Sequence, residues 1–197
     1  MYPIDLHALR RDCALEIEGY HLINYSNLSK KDSLKILAIR NDFSIRRRMV
    51  NSDLISEENH FHFVSTLSKK NIGYWALKKK GEILGSISLI QYNEKDASFV
   101  GGNFIAPEMI GSGFGAVVNY FMHYIAFEII KCSKIKAIVK KDNINAIRLN
   151  KLFGAVLLNE NFSQDIIKNE YLSLEFSAET WFNISKEKTR KIIEYVL

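Results

Sequence analysis

From Phe104 the chain reads Phe104-Ile105-Ala106-Pro107-Glu108-Met109-Ile110-Gly111-Ser112-Gly113-Phe114-Gly115. An apolar run meets a proline, glycines recur at alternate positions, and a long apolar stretch follows. Glycine lets a backbone turn sharply and approach a ligand closely. The first turn of a following helix adds unpaired N–H groups and a positive dipole end, which together suit a phosphate. The spacing is not the dinucleotide fingerprint, which opens the first strand-helix unit of a chain. It is not a Walker loop either, since no Gly-Lys-Ser/Thr follows. A second segment, Val139 to Ala155, carries Asn143 at its turn and Asn150 inside the helix that the pattern predicts. An asparagine amide donates a hydrogen bond but supplies no proton at neutral pH. Ser88, in a strand pattern, can hold a water or receive a hydrogen bond. Glu94 and Asp96, both in a predicted turn, are the candidates for a general base, and neither stands out. Cys132 has no evident histidine beside it and reads as packing.

These segments need elements to position them. A strand is predicted over 18–25. Ser29 followed by Asp32 is a capping-box pattern that opens a helix towards Asn41. Ser56-Glu57-Glu58 caps another, through Phe61, Val64 and Leu67. Strands follow over 74–78, 83–91 and 97–105, the first pair joined at Lys80-Gly81-Glu82. A long helix is predicted over 114–131, a strand over 135–139 and a helix over 143–153 that stops at Gly154. Two strands, 156–162 and 171–176, and a short helix over 185–196 complete the order β-α-α-β-β-β-α-β-α-β-β-α.

Composition sets the frame. The 197 residues are 47% hydrophobic and 12% aromatic, enough for a substantial core, with only 2 Pro and 10 Gly. Two cysteines make no disulfide framework and no zinc ligand set. The N-terminus does not read as a signal peptide and no run is long enough to span a membrane, so a cytoplasmic protein is expected. The net charge of +5 is spread over short runs such as Arg46-Arg47-Arg48 and Lys78-Lys79-Lys80. A basic surface favours anionic ligands. The runs are not interleaved with aromatics as in a nucleic-acid reader, and neither nucleic acid nor membrane is expected as a partner.

The order of elements and both segments resemble the GCN5-related N-acetyltransferase family over residues 18–177. The resemblance implies an α/β fold, a central mixed, mostly antiparallel sheet flanked by helices. It implies one acetyltransferase domain over 1–180, with residues 181–197 as a helical tail. It implies acetyl-CoA as co-substrate, without a metal, held by Phe104, Ile105, Ala106, Gly111, Ser112, Gly113, Phe114, Gly115 and Asn143. Backbone N–H groups near 104–106 would polarise the thioester carbonyl. Ile110 stands where the family usually has Arg or Gln. Asn150 stands at the place of a frequent tyrosine that protonates the departing thiolate, and with Ser88 makes up the implied catalytic pair.

The head of the chain, Ile39-Arg40-Asn41-Asp42 with Met49, Ile55-Ser56, His60 and Phe63, resembles the subgroup that acetylates UDP-4-amino-4,6-dideoxy-N-acetyl-β-L-altrosamine. So does Ala126-Phe127-Glu128. By that resemblance Arg40, Met49 and His60 bind the nucleotide of a nucleotide-sugar substrate. Two other readings stay open: an acetyltransferase for protein N-termini or ribosomal proteins, and a CoA-binding module without turnover. The apolar C-terminal strands are compatible with a homodimer.

Overall fold

The computed structural model describes residues 15–17, 19–67, 71–159 and 170–196. Strands β1 (Leu15–Ile17) and β2 (Tyr20–Asn24) form a hairpin, turned at Gly19 with φ +73°. Three helices follow: α1 (Lys30–Asn41), α2 (Phe43–Arg46) and α3 (Glu57–Thr66). Ser29 caps α1 by accepting the Asp32 N–H at 3.1 Å, and Ser56 caps α3 through the Asn59 N–H at 3.2 Å. Strands β3 (Gly73–Lys79) and β4 (Glu82–Asn93) turn on Lys80 and Gly81, both with positive φ, the conformation that a tight hairpin requires. Then come β5 (Ser98–Ile105) and α4 (Phe114–Tyr124), which widens into a π-helical turn over Ile125–Ile129. The order continues β6 (Lys134–Lys140), α5 (Ile144–Leu152), β7 (Val156–Leu157) and β8 (Tyr171–Ser177). The chain closes with α6 (Ala178–Thr180), a π-helical turn over Trp181–Ser185, and α7 (Lys186–Glu194).

The strands form one eight-stranded sheet in the order β1-β2-β3-β4-β5-β6-β8-β7. Every pairing is antiparallel except β5 with β6. Side chains alternate across the sheet. On one face Trp75, Leu77, Ile87, Leu89 and Phe99 pack with Val117 and Phe121 of α4 and Ile125 of the π-helical turn after it. On the other, Tyr74, Ala76, Ile83 and Phe104 meet Ile36 and Ile39 of α1, Ile45 of α2 and Phe63 of α3.

Three local features differ from the sequence reading. The first strand is shorter and pairs with β1, because Gly19 turns the chain. The basic stretch after α1 contains α2, capped by Asp42, whose carboxylate accepts the Ser44 N–H at 2.8 Å. Of the strand expected over 156–162 only Val156–Leu157 is a strand, and the range from 160 to 169 lies outside the described residues. Trp181 and Ile193 of the C-terminal segment are buried in the same cluster as α4. Among the described residues no helix is long and apolar enough to cross a membrane.

Candidate active site

Strands β5 and β6 pair only through Ser98↔Lys134, Phe99↔Ile135 and Val100↔Lys136. Beyond Val100, β5 pairs only with β4, so the sheet opens between β5 and β6. The alternation of an antiparallel ladder says which amides face that opening. Ala106 donates its N–H to the Leu84 carbonyl at 2.8 Å. Phe104 and Gly102 therefore also turn towards β4, and the N–H groups of Asn103 and Ile105 face the opening. Of the trio 104–106, Ile105 offers its amide there, Ala106 has spent its own, and Phe104 contributes its ring to the opposite face of the sheet.

The strand leads into the glycine loop. Gly111 and Gly113 have φ +86° and +84°, in the left-handed region where a side chain is strained. The amides of Gly111, Gly113 and Gly115 take no main-chain partner among the described residues. Alternate free donors at the start of a long helix form a cradle for a pyrophosphate. A Cβ on Gly111 would meet nothing within 4 Å, so a ligand can approach the backbone there. Ser112 is part of the loop's own scaffold: its hydroxyl donates to the Met109 carbonyl at 2.8 Å and accepts the Phe114 N–H at 3.2 Å. Phe114 is buried against Tyr20. Gly115 lets Leu149 of α5 approach to 3.4 Å from where its Cβ would be. Asn143 caps α5, accepting the Ala146 N–H at 3.3 Å.

Asn150 ends a relay of amides. Asn103 Nδ2 donates to Asn119 Oδ1 at 2.9 Å, and Asn119 Nδ2 donates to Asn150 Oδ1 at 3.1 Å. The relay links the open edge of β5 to α5 through α4. Asn119 is 1% exposed and was not legible as a site residue. Its only signal is a lone amide inside an apolar helix.

On the other face of β5 lies a cavity of about 360 Å³ lined by Tyr25, Ile36, Arg40, Ile55, His60, Phe63, Tyr74 and Phe104. The structure brings Arg40 and His60 together here. Met49 packs instead against the cluster around Ile45 and does not line the cavity. Tyr25, Phe63 and Tyr74 form an aromatic wall, with Phe63 edge-on to Tyr74 at 5.1 Å. Tyr25 is anchored by a 2.6 Å hydrogen bond between its hydroxyl and Ser86 Oγ, and burial drives its ionisation up. His60 is buried with Nε2 at 2.9 Å from Ser33 Oγ, and burial lowers its pKa, so the ring is neutral at physiological pH. Arg40 gives Nη2 to the Asn51 carbonyl, while its buried Nη1 has no partner among the described residues. No carboxylate lines the cavity or pairs with Arg40 among the described residues. A buried Nη1 donor left unspent on a half-buried guanidinium costs free energy until an acceptor or anion arrives.

The model of the acetyltransferase (GNAT) family matches residues 36–155, more than half of the chain. The chain belongs to the acetyltransferase (GNAT) family. It is 30% identical over 129 residues to acetyltransferase PseH of Campylobacter jejuni subsp. jejuni serotype O:2, covering 65% of this chain and 79% of that protein. Its fold matches the crystal structure of C. jejuni N-acetyltransferase PseH in complex with acetyl coenzyme A, with TM-score 0.61 and 19% identity over 80% of this chain and 98% of that one. It also matches spermidine N-acetyltransferase from Vibrio cholerae in complex with CoA and spermine, with TM-score 0.72 and 17% identity, over 85% and 100% of the two chains.

As a GNAT member the chain is an N-acetyltransferase, and its remaining polar residues take their places around that chemistry. Ser88 is opposite Tyr74 and donates its hydroxyl to the Gly102 carbonyl at 3.2 Å. Asp96 is paired with Lys136 at 2.6 Å and accepts from Ser98, away from the cavity. Burial raises the Cys132 thiol to about 12, which leaves it inert. Glu128, from the Ala126-Phe127-Glu128 segment, holds the C-terminal region: it accepts from Trp181 Nε1 at 3.1 Å and pairs with Lys186 at 2.8 Å.

Proposed function

We propose that this enzyme transfers the acetyl group of acetyl-CoA to the 4-amino group of a UDP-linked amino-dideoxy sugar. The observation that carries the acceptor is the unspent buried donor of Arg40 in an aromatic cavity that holds no carboxylate. A uracil ring supplies a flat face for Tyr25, Phe63 and Tyr74 and carbonyl acceptors for Arg40. The diphosphate adds negative charge that suits the neighbouring Arg46, whose Nε is also buried without a partner among the described residues. The resemblance of the head segment and the PseH relatives support the same reading. A polyamine is disfavoured, because a polycation finds no counter-charge among the lining residues.

The residues fit acetyl-CoA as co-substrate. Gly111, Gly113 and Gly115 present amides to its pyrophosphate, and the opening beside β5 admits its pantetheine arm. When bound it supplies an activated acetyl group. Ile105 and Asn103 offer main-chain N–H groups to a thioester carbonyl, which strengthen as negative charge develops on oxygen. Phe104 lines the acceptor cavity while its neighbour Ile105 faces the opening, so β5 is the wall that both substrates share. The amine attacks in its neutral form and its proton passes to water. Asn150 offers a hydrogen bond to the departing sulfur.

A thiol-release assay tests the proposal with acetyl-CoA and three acceptor sets: UDP-4-amino-4,6-dideoxy-N-acetyl-β-L-altrosamine with its gluco isomer, N-terminal peptides, and spermidine. Turnover on a UDP-amino sugar alone is expected. Turnover confined to peptides or spermidine would overturn the acceptor assignment.

A further inference from the structure

We propose that Asn119 is a positioning residue: from α4 it holds the Asn150 amide with its Nδ2–H directed at the β5–β6 opening, as hydrogen-bond donor to the departing thiolate sulfur. This rests on the acetyl-CoA reading above and adds to it a residue that never touches substrate.

The relay has a direction. Asn103 Nδ2 also lies 3.8 Å from Met122 Sδ, a weak acceptor that keeps its NH2 end inward, so Asn119 Oδ1 faces Asn103 and only the NH2 end of Asn119 is left for Asn150. Asn150 must answer with its oxygen. Its own Nδ2 is then the end of the relay, with no partner among the described residues and not sealed from solvent. Turning Asn150 over would set NH2 against NH2 and lose a hydrogen bond inside an otherwise apolar layer. Asn119 is 1% exposed, with Val118, Phe121 and Met122 about it fully buried, so no water competes to loosen the arrangement. At the other end Asn103 is an exposed residue on the open edge of β5, next to the amide of Ile105. One string of amides therefore ties the strand that would hold the carbonyl to the group that would meet the sulfur.

In the transfer step the amine nitrogen forms its C–N bond as the C–S bond breaks. The electron pair of that bond leaves on sulfur, the ammonium proton goes to water, and solvent later protonates the thiolate. An amide N–H favours the thiolate without giving up its proton, so this residue acts by lowering the energy of the leaving group. Asn119 supplies nothing to the sulfur directly; it decides whether Asn150 presents a donor or an acceptor.

The test is the ionisation of CoA bound to the protein, followed by the ultraviolet absorbance of the thiolate against pH, beside calorimetric CoA affinity. In the wild type the bound thiol should ionise about one pH unit below the free thiol value of about 8.5, a tenfold gain in thiolate. Asn150→Leu and Asn119→Leu should each return it to the free value while CoA affinity at low pH stays within about threefold. The double variant should go no further than either single one. Should Asn119→Leu fail to fold, Asn119→Ser carries the same test, since its hydroxyl bonds back to its own helix and is too short to reach Asn150. An unshifted thiol in the wild type, or Asn119 variants that lower thermal stability while leaving the bound thiol shifted, would overturn the proposal. So would shifts that add in the double variant. A wild type that binds no CoA would instead sink the acetyl-CoA reading itself, a failure visible before any variant is made.

Discussion

Val196 closes over Gly113: its Cγ2 lies 3.2 Å from the point that a Cβ on Gly113 would occupy. The end of the chain thus packs on the loop that begins α4, and the space left by the missing side chain at 113 belongs to the protein. The space at Gly111 is open. The two glycines share a left-handed backbone but face different neighbours, so their substitutions should separate. Gly113→Ala should cost about 2 kcal/mol from backbone strain and the Val196 contact, ~4–8 °C in Tm. Val196→Ala in the same chain should recover part of that loss. Gly111→Ala should lower Tm less and weaken CoA binding more. Thermal melts and CoA titrations of the three variants decide it, and the reverse ranking would show that CoA does not approach through the open space at Gly111.

Arg40 makes a second, separable prediction. Its Nη1 is buried and unpaired among the described residues, and burial lowers its pKa, so the free protein bears a cost that ligand relieves. Arg40→Met should raise the KM for the nucleotide sugar by about 10–100-fold, the range for a hydrogen bond to a charged group. The KM for acetyl-CoA should stay within about twofold and Tm should barely change, since the side chain's internal bond is to one loop carbonyl. Steady-state kinetics with each substrate varied in turn checks this. Equal effects on both KM values would move the acceptor away from the cavity.

What the sequence shows and what it hides follow from the range of the interactions. The caps Ser29 and Ser56, the turn at Lys80-Gly81 and the glycines before α4 all act within a few residues, and each was readable from local chemistry. The opening between β5 and β6 was not, because it depends on where pairing stops between strands joined by the whole of α4. The relay joins residues 16 and 31 positions apart, and Asn119 within it looks like one polar slip in an apolar helix. Met49 shares its pattern with residues that pack, and it packs. Arg40 and His60 were named from the head segment, but Tyr25 and Tyr74 were missed: each sits in a strand-like run where an aromatic is ordinary, and only the fold turns them onto one cavity.

His123 should make stability depend on pH. Its ring is 1% exposed and boxed by Phe127, Phe153, Phe176 and Trp181. Nδ1 donates to the Asn119 carbonyl at 2.7 Å, and Nε2 has no partner among the described residues. Burial lowers its pKa to about 4 from the ordinary 6.5. The unfolded chain takes the proton first, so the contribution to stability is whole above about pH 6.5 and is lost as pH falls towards 4. The loss amounts to about 3 kcal/mol at the lower end. His123→Phe keeps the aromatic box and removes the titration. Denaturant unfolding at several pH values should show a shallower decline for the variant between pH 6.5 and 4. Parallel curves would place the acid sensitivity elsewhere.

Glu128 makes the last prediction, on how the C-terminal region is held. Its two oxygens receive Trp181 Nε1 and the Lys186 ammonium, and Trp181 itself is buried between Tyr120, His123 and Phe127. Removing the carboxylate strands a buried indole N–H, at a cost of about 1–3 kcal/mol. Glu128→Ala should therefore lower Tm by several degrees, and the π-helical turn that carries Trp181 should loosen first, seen as faster hydrogen exchange over 181–185 than in the sheet. Because α7 and Val196 continue from that turn to the glycine loop, the variant should also weaken CoA binding without changing the KM of the acceptor. Glu128→Gln keeps an acceptor for the indole and gives up only the charge on the half-exposed lysine, so it should restore most of the loss. If Gln proves as damaging as Ala, the ion pair to Lys186 is the stronger tie and the indole hydrogen bond contributes little.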